Sequence, residues 1–67
     1  MKVTVNGESQ DLSGRIKTIH DLLKQYKFDP NITVVEKNGM IVYKSNFAEE
    51  LLQPGDTIEV IRFVGGG

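Results

Sequence analysis

Two Asn-Gly pairs, Asn6-Gly7 and Asn38-Gly39, limit what this 67-residue chain can fold into. Both residue types tolerate φ > 0, which the tight two-residue hairpin loop demands. Ahead of the first pair, Val3 and Val5 alternate with Lys2, Thr4 and Asn6, the pattern of a half-buried strand. The return strand, residues 8–12, is weakly patterned, which predicts an edge position, and Ser13-Gly14 closes it. Around the second pair, the β-branched run 32–37 predicts a strand and Met40-Ile41-Val42-Tyr43 its return.

Between the hairpins the apolar period changes from two to 3.6. Thr18 reads as a helix N-cap, with Asp21 three residues on as in a capping box. Ile19, Leu22, Leu23 and Tyr26 follow the i, i+3, i+4, i+7 spacing of one buried face. Lys24 and Lys27 place positive charge where the helix dipole favours it, and Asp29-Pro30 ends the element. Residues 46–52 predict a short helical turn in which Phe47, Leu51 and Leu52 supply apolar contacts. Gln53-Pro54-Gly55-Asp56 has Pro and Gly where a type II turn needs them. Residues 57–64 complete the pattern as a final strand. The expected architecture is α+β: a sheet of four to five strands with one main helix packed across one face. Periodicity leaves open whether the first and last strands pair in parallel at the centre. The expected organisation is one domain over residues 1–64 and a flexible glycine tail over 65–67.

A chain this short buries only about 60% of its unfolded surface, leaving little room for a deep catalytic pocket. Eight basic and nine acidic residues give a net charge of -1, against a nucleic-acid binder and against a polybasic membrane patch. The absence of cysteine excludes disulfides, thiolate metal sites and cysteine nucleophiles, and is consistent with a reducing compartment. The apolar runs are too short to span a membrane. Met1-Lys2 leads directly into a strand pattern, so no leader is expected and the expected location is the cytoplasm.

The final strand does not close its own pattern. Ile58 and Val60 share one face and suit the helix, which sends Glu59, Ile61 and Phe63 to the other. Either Ile61 and Phe63 form part of a docking patch, or the strand twists and buries Phe63 against Tyr43 or Met40. Arg62 either pairs with an acidic groove on a partner or is a solvated charge. Gly65-Gly66-Gly67 follows. Without Cβ atoms such a tail is thin enough to thread into a narrow site on another protein, which makes the Gly67 carboxylate the group best placed for chemistry. The bland alternative is a frayed end or linker remnant. His20 is the only histidine and lacks a catalytic partner, and Glu49-Glu50 are adjacent on a turn and do not face each other. No catalytic residue and no metal ligand set is expected.

In combination these residues resemble the sulfur carrier proteins of thiazole biosynthesis, the ThiS family, within the ubiquitin-like β-grasp superfamily. The resemblance covers the whole chain. It rests on Val3-Thr4-Val5-Asn6-Gly7, Thr18-Ile19-His20-Asp21-Leu22-Leu23, Asn38-Gly39-Met40-Ile41-Val42, Ser45-Asn46-Phe47, Pro54-Gly55-Asp56 and Phe63-Val64-Gly65-Gly66-Gly67. It implies a β-grasp fold and a carrier with no bound cofactor. An E1-like, ThiF-like adenylyltransferase would use ATP to adenylate Gly67. Sulfur from a donor such as a cysteine desulfurase would then convert it to a thiocarboxylate, and a ThiG-like thiazole synthase would take the sulfur. Gly65 and Gly66 would thread into the partner, and Ile61, Phe63 and Arg62 would dock. Gly65 stands where relatives often have Ala. The expected carrier alone is a monomer. Three competing functions keep a β-grasp fold: a molybdopterin synthase small subunit, a ubiquitin-like modifier joined through Gly67 to lysine, and a binding module that makes no use of the tail.

Overall fold

The asparagines of both Asn-Gly pairs adopt the left-handed conformation, with φ of 50° at Asn6 and 54° at Asn38; Gly7 and Gly39 follow at 82° and 84°. Each pair therefore closes a two-residue hairpin as its composition requires. The computed structural model describes residues 1–63; Val64 and Gly65, Gly66 and Gly67 lie outside the described residues. Strand β1 (Lys2–Val5) turns into β2 (Glu8–Asp11), and helix α1 (Ile19–Gln25) follows. A 3₁₀ turn (Pro30–Ile32) leads into β3 (Thr33–Lys37), which turns into β4 (Met40–Val42). A second 3₁₀ turn (Lys44–Asn46) precedes the long loop to β5 (Thr57–Arg62).

The five strands form one sheet in the order β2-β1-β5-β3-β4. β5 runs parallel to β1, with Thr4 opposite Thr57 and Val5 opposite Ile58, and antiparallel to β3. The first and last strands thus pair at the sheet centre, as in a β-grasp. The buried alternation on Val3, Val5, Val35, Ile58 and Val60 faces Ile19, Leu22 and Leu23 of α1. Leu12, Ile16, Phe47 and Leu52 close the margins of this core.

The helix begins as its sequence dictates. The Thr18 hydroxyl accepts from the Asp21 amide at 3.1 Å, and the Asp21 carboxylate accepts from the amides of Lys17 and Thr18 at 3.0 and 3.2 Å. These bonds satisfy amides that a helix N-terminus leaves without carbonyl partners. The end differs from the expected stripe. α1 stops at Gln25 because Lys27 turns left-handed (φ 60°) and the Phe28 amide reaches back to the Leu23 carbonyl at 2.9 Å, a Schellman closure. Tyr26 falls past the last helical residue, so it is not core. It is 36% exposed, and its hydroxyl donates to Gln10 Oε1 on edge strand β2.

Other expectations shift in the same way. Ile32 belongs to the 3₁₀ turn, not to the strand, because Asp29 caps that turn by accepting from the Asn31 amide. The helical turn expected over 46–52 is confined to its start. Leu51 makes an isolated bridge to Thr18, so extended backbone sends Leu52 inward and leaves Leu51 58% exposed. Gly55, at φ 87°, supplies the expected turn before β5, and the Asp56 amide closes it on the Gln53 carbonyl. The backbone bonds to the Asp21 carboxylate, that to the Lys17 amide foremost, hold its pKa below the usual carboxylate value.

A folded-state pKa below the unfolded one means that this contribution is present above the unfolded carboxylate range and lost as pH falls through the folded value. Asp21→Asn should therefore lower stability by about 0.5–1 kcal/mol at neutral pH, the low end of capping effects because the site is exposed. Urea unfolding should show the gap between the variant and the native chain closing in acid. A gap independent of pH would exclude a charge-dependent cap.

Candidate functional site

β5 divides its side chains between two faces. Ile58 and Val60 are buried beneath α1, whereas Ile61 is 49% and Phe63 61% exposed on the side the helix does not cover. Phe63 is not buried against Tyr43 or Met40; its backbone continues the β3 pairing instead, its amide donating to the Ile32 carbonyl at 2.8 Å. The alternating pattern therefore runs on past the end of β5, and no local twist turns Phe63 inward.

The register extends this surface across three strands. Ile61 lies opposite Val34 on β3. The β3–β4 register, carried one residue beyond Val42, brings Tyr43 level with Val34. Ile32, Phe63 and Tyr43 are all exposed, as is Ile41 on β4. Apolar groups of this number on the open face of a sheet form a patch of the kind that marks a protein interface. Arg62 is one residue out of phase with Ile61. It pairs in register with Thr33, on the helix side, and is exposed without an ion pair among the described residues. The structure thus brings Ile61 and Phe63 together and places Arg62 on the other face.

A polar feature adjoins the apolar rows. Glu36 on β3 lies opposite Glu59 on β5, and Ile41 lies opposite Glu36 on its other side. Directly opposed like charges destabilise a strand pair unless something cationic meets them. Neither glutamate is ion-paired among the described residues. The surface is therefore apolar with an acidic centre, complementary to a partner that offers apolar groups around a Lys or Arg. Sequence spacing marked Ile61 and Phe63. It also put Glu59 on their face, but it missed Val34, Ile41 and Glu36, because their proximity depends on strand order and register.

The base of β5 is fixed by polar groups on the helix side. Asp56 is 6% exposed; its carboxylate accepts from the Gln53 amide at 2.7 Å and from Asn38 Nδ2 at 2.9 Å. Lys37 Nζ stands 2.7 Å from Glu50 and 4.0 Å from Asp56, and donates to the Leu51 carbonyl. Among the described residues no group of His, Asp and Glu is placed to hold a metal ion, and no helix is long and apolar enough to cross a membrane.

Comparison with known proteins gives this geometry a family. The ThiS family model matches residues 3–67. The chain belongs to the ThiS family. It is 38% identical to the sulfur carrier protein ThiS of Bacillus subtilis (strain 168) over 63 residues, 94% of this chain and 96% of that protein. The crystal structure of the thiamine biosynthesis protein ThiS from Geobacter metallireducens superposes with a TM-score of 0.85 at 30% identity, covering both chains completely. A ThiS-family sulfur carrier of thiamin biosynthesis is thus what the matched length and the fold describe together. The chain is also 37% identical over its whole length to part of the thiazole synthase of Paramagnetospirillum magneticum; it spans 20% of that protein.

Replacing Glu59 tests the acidic centre. Glu59→Lys should raise stability by about 0.2–1 kcal/mol by turning a repulsive cross-strand pair into an attractive one. Paired urea titrations of the variant and the native chain measure this; a loss of stability would show that Glu36 and Glu59 do not repel each other.

Proposed function

We propose that this chain carries sulfur as a thiocarboxylate at Gly67, loaded by an E1-like adenylyltransferase and delivered to a thiazole synthase. The observation that supports this reading is the exposed apolar row of Ile61 and Phe63, which precedes the glycine run in the sequence. The family match running through residue 67 supports extending the role to the tail.

The chemistry requires nothing catalytic from the carrier. A free carboxylate is ionised at neutral pH and is a poor electrophile. Coupling to AMP, with ATP consumed by the partner, converts it to an acyl adenylate. A donor such as a cysteine desulfurase presents a persulfide whose terminal sulfur bonds to the carbonyl carbon as AMP leaves, and a thiol reductant then cleaves the resulting acyl disulfide to free the thiocarboxylate. The adenylate is labile to water, so it must form inside a site that excludes solvent. Gly65 and Gly66 present no side chain to obstruct entry. In this reading the protein is not an enzyme, binds no cofactor of its own, and works in the cytoplasm with partners and neither nucleic acid nor membrane.

Thiazole synthase is the preferred acceptor over a molybdopterin-forming one. The support is that a thiazole synthase from Paramagnetospirillum magneticum and one from Magnetococcus marinus each contain a segment aligning with all 67 residues, at 37% and 36% identity. The docking step uses the open face of the sheet, with a basic group of the partner meeting Glu36 and Glu59 and apolar groups meeting Ile61 and Phe63.

Intact-mass spectrometry of the protein purified from its host should show a fraction in which one oxygen is exchanged for sulfur, and deletion of Gly67 should abolish that fraction without changing the unfolding midpoint. Ile61→Asp or Phe63→Asp should lower kcat/KM for adenylation by about tenfold while the chain stays folded, the loss typical of a buried interface contact. A branched conjugate on lysines of other proteins would replace the carrier reading with that of a modifier. Unfolding of both aspartate variants would withdraw the docking role of this face.

A further inference from the structure

Asn-Gly is the sequence most open to spontaneous deamidation, since an unhindered Gly nitrogen can attack the preceding side chain. In this reaction the Gly amide nitrogen bonds to the Asn Cγ and the Cγ–Nδ2 bond breaks. Ammonia leaves with the proton of the Gly amide, forming a succinimide. Water then opens the ring to aspartate or isoaspartate, with no change of oxidation state. The chain carries this pair twice, and the fold treats the two unequally.

Both asparagines bind β5 through backbone and side chain. Asn6 donates its amide to the Ile58 carbonyl at 2.9 Å, and its Oδ1 accepts from the Val60 amide at 2.7 Å. Asn38 donates its amide to the Thr57 carbonyl at 2.8 Å, and its Oδ1 accepts from the Thr57 amide at 2.9 Å. The carboxamide nitrogen is where they differ. Asn38 Nδ2 donates to the nearly buried Asp56 carboxylate at 2.9 Å. Asn6 Nδ2 has no protein acceptor among the described residues. Since Nδ2 is the leaving group, a charge-assisted bond that fixes it holds Cγ away from the Gly nitrogen until the turn opens.

The products also differ. An aspartate at position 6 keeps an oxygen able to accept from the Val60 amide. At position 38 conversion replaces a donor with a carboxylate facing Asp56, so a bond becomes a repulsion at the base of β5. We propose that Asn6-Gly7 is a site of spontaneous deamidation in the folded chain, and that Asp56 protects Asn38-Gly39, where the same change would loosen the central strand.

Peptide mapping by mass spectrometry, on folded full-length chain held in mildly alkaline buffer, measures both conversions. Asn6 should convert roughly tenfold faster than Asn38 or more, the ratio that one charge-assisted hydrogen bond supports. In urea the two rates should converge. Asp56→Asn should accelerate conversion at Asn38 and leave Asn6 unchanged. In unfolding titrations Asn38→Asp should lower the urea midpoint and Asn6→Asp should hold it. Equal rates in the folded chain, or faster conversion at Asn38, would overturn the proposal, as would an Asn38→Asp variant as stable as the native chain.

Discussion

Everything in this small domain depends on a last strand inserted between two hairpins that sequence order keeps apart. β5 supplies the only parallel pairing in the described sheet, and that register covers just Thr4–Thr57 and Val5–Ile58. The junction is extended by the turns themselves. Asn6 and Asn38 each add a backbone donor and a side-chain acceptor to β5, at Ile58 and Val60 in one case and at Thr57 in the other. A central strand without such bonds would leave backbone groups unpaired at the layer where burial makes that costly. The two hairpins therefore close on β5 through the residues that shape their loops.

This arrangement connects core and surface. Ile58 and Val60 are fixed beneath the helix by apolar burial, so the alternation of the strand sends Glu59 and Ile61 to the open face. Position on the candidate docking surface follows from core packing one residue away. The acidic pair Glu36 and Glu59 is tolerated because the buried face, with Val35, Ile58 and Val60, holds the strands in register against the repulsion. A surface feature that costs stability is thus carried by the opposite side of the same strands.

Much of the fold was legible from residues with a single structural use. The Asn-Gly turns, the Thr18–Asp21 capping box and the Gly55 turn each have a local physical cause, and each stands where spacing placed it. The errors fell where tertiary contacts decide. The stripe that included Tyr26 extends past a helix end set by Lys27, and Leu51 was paired with Leu52 although extended backbone separates them. In the candidate site, Ile61 and Phe63 were visible as an unclosed alternation. Arg62 was grouped with them by sequence proximity and lies on the opposite face. The asparagine side chains were read only for their tolerance of positive φ, because nothing local reveals that their amides reach a strand some fifty residues or twenty residues further along.

The direction of β5 also has a mechanical consequence. Its start is fastened at Thr57 and its middle at Ile58 and Val60, with neighbours on both sides. Traction along the strand axis, applied to the chain beyond Phe63, loads those bonds in shear, all at once, where a strand peeled from an edge would release them singly. A force applied there is met by the whole β5 junction together, and the body of the domain keeps its shape under it.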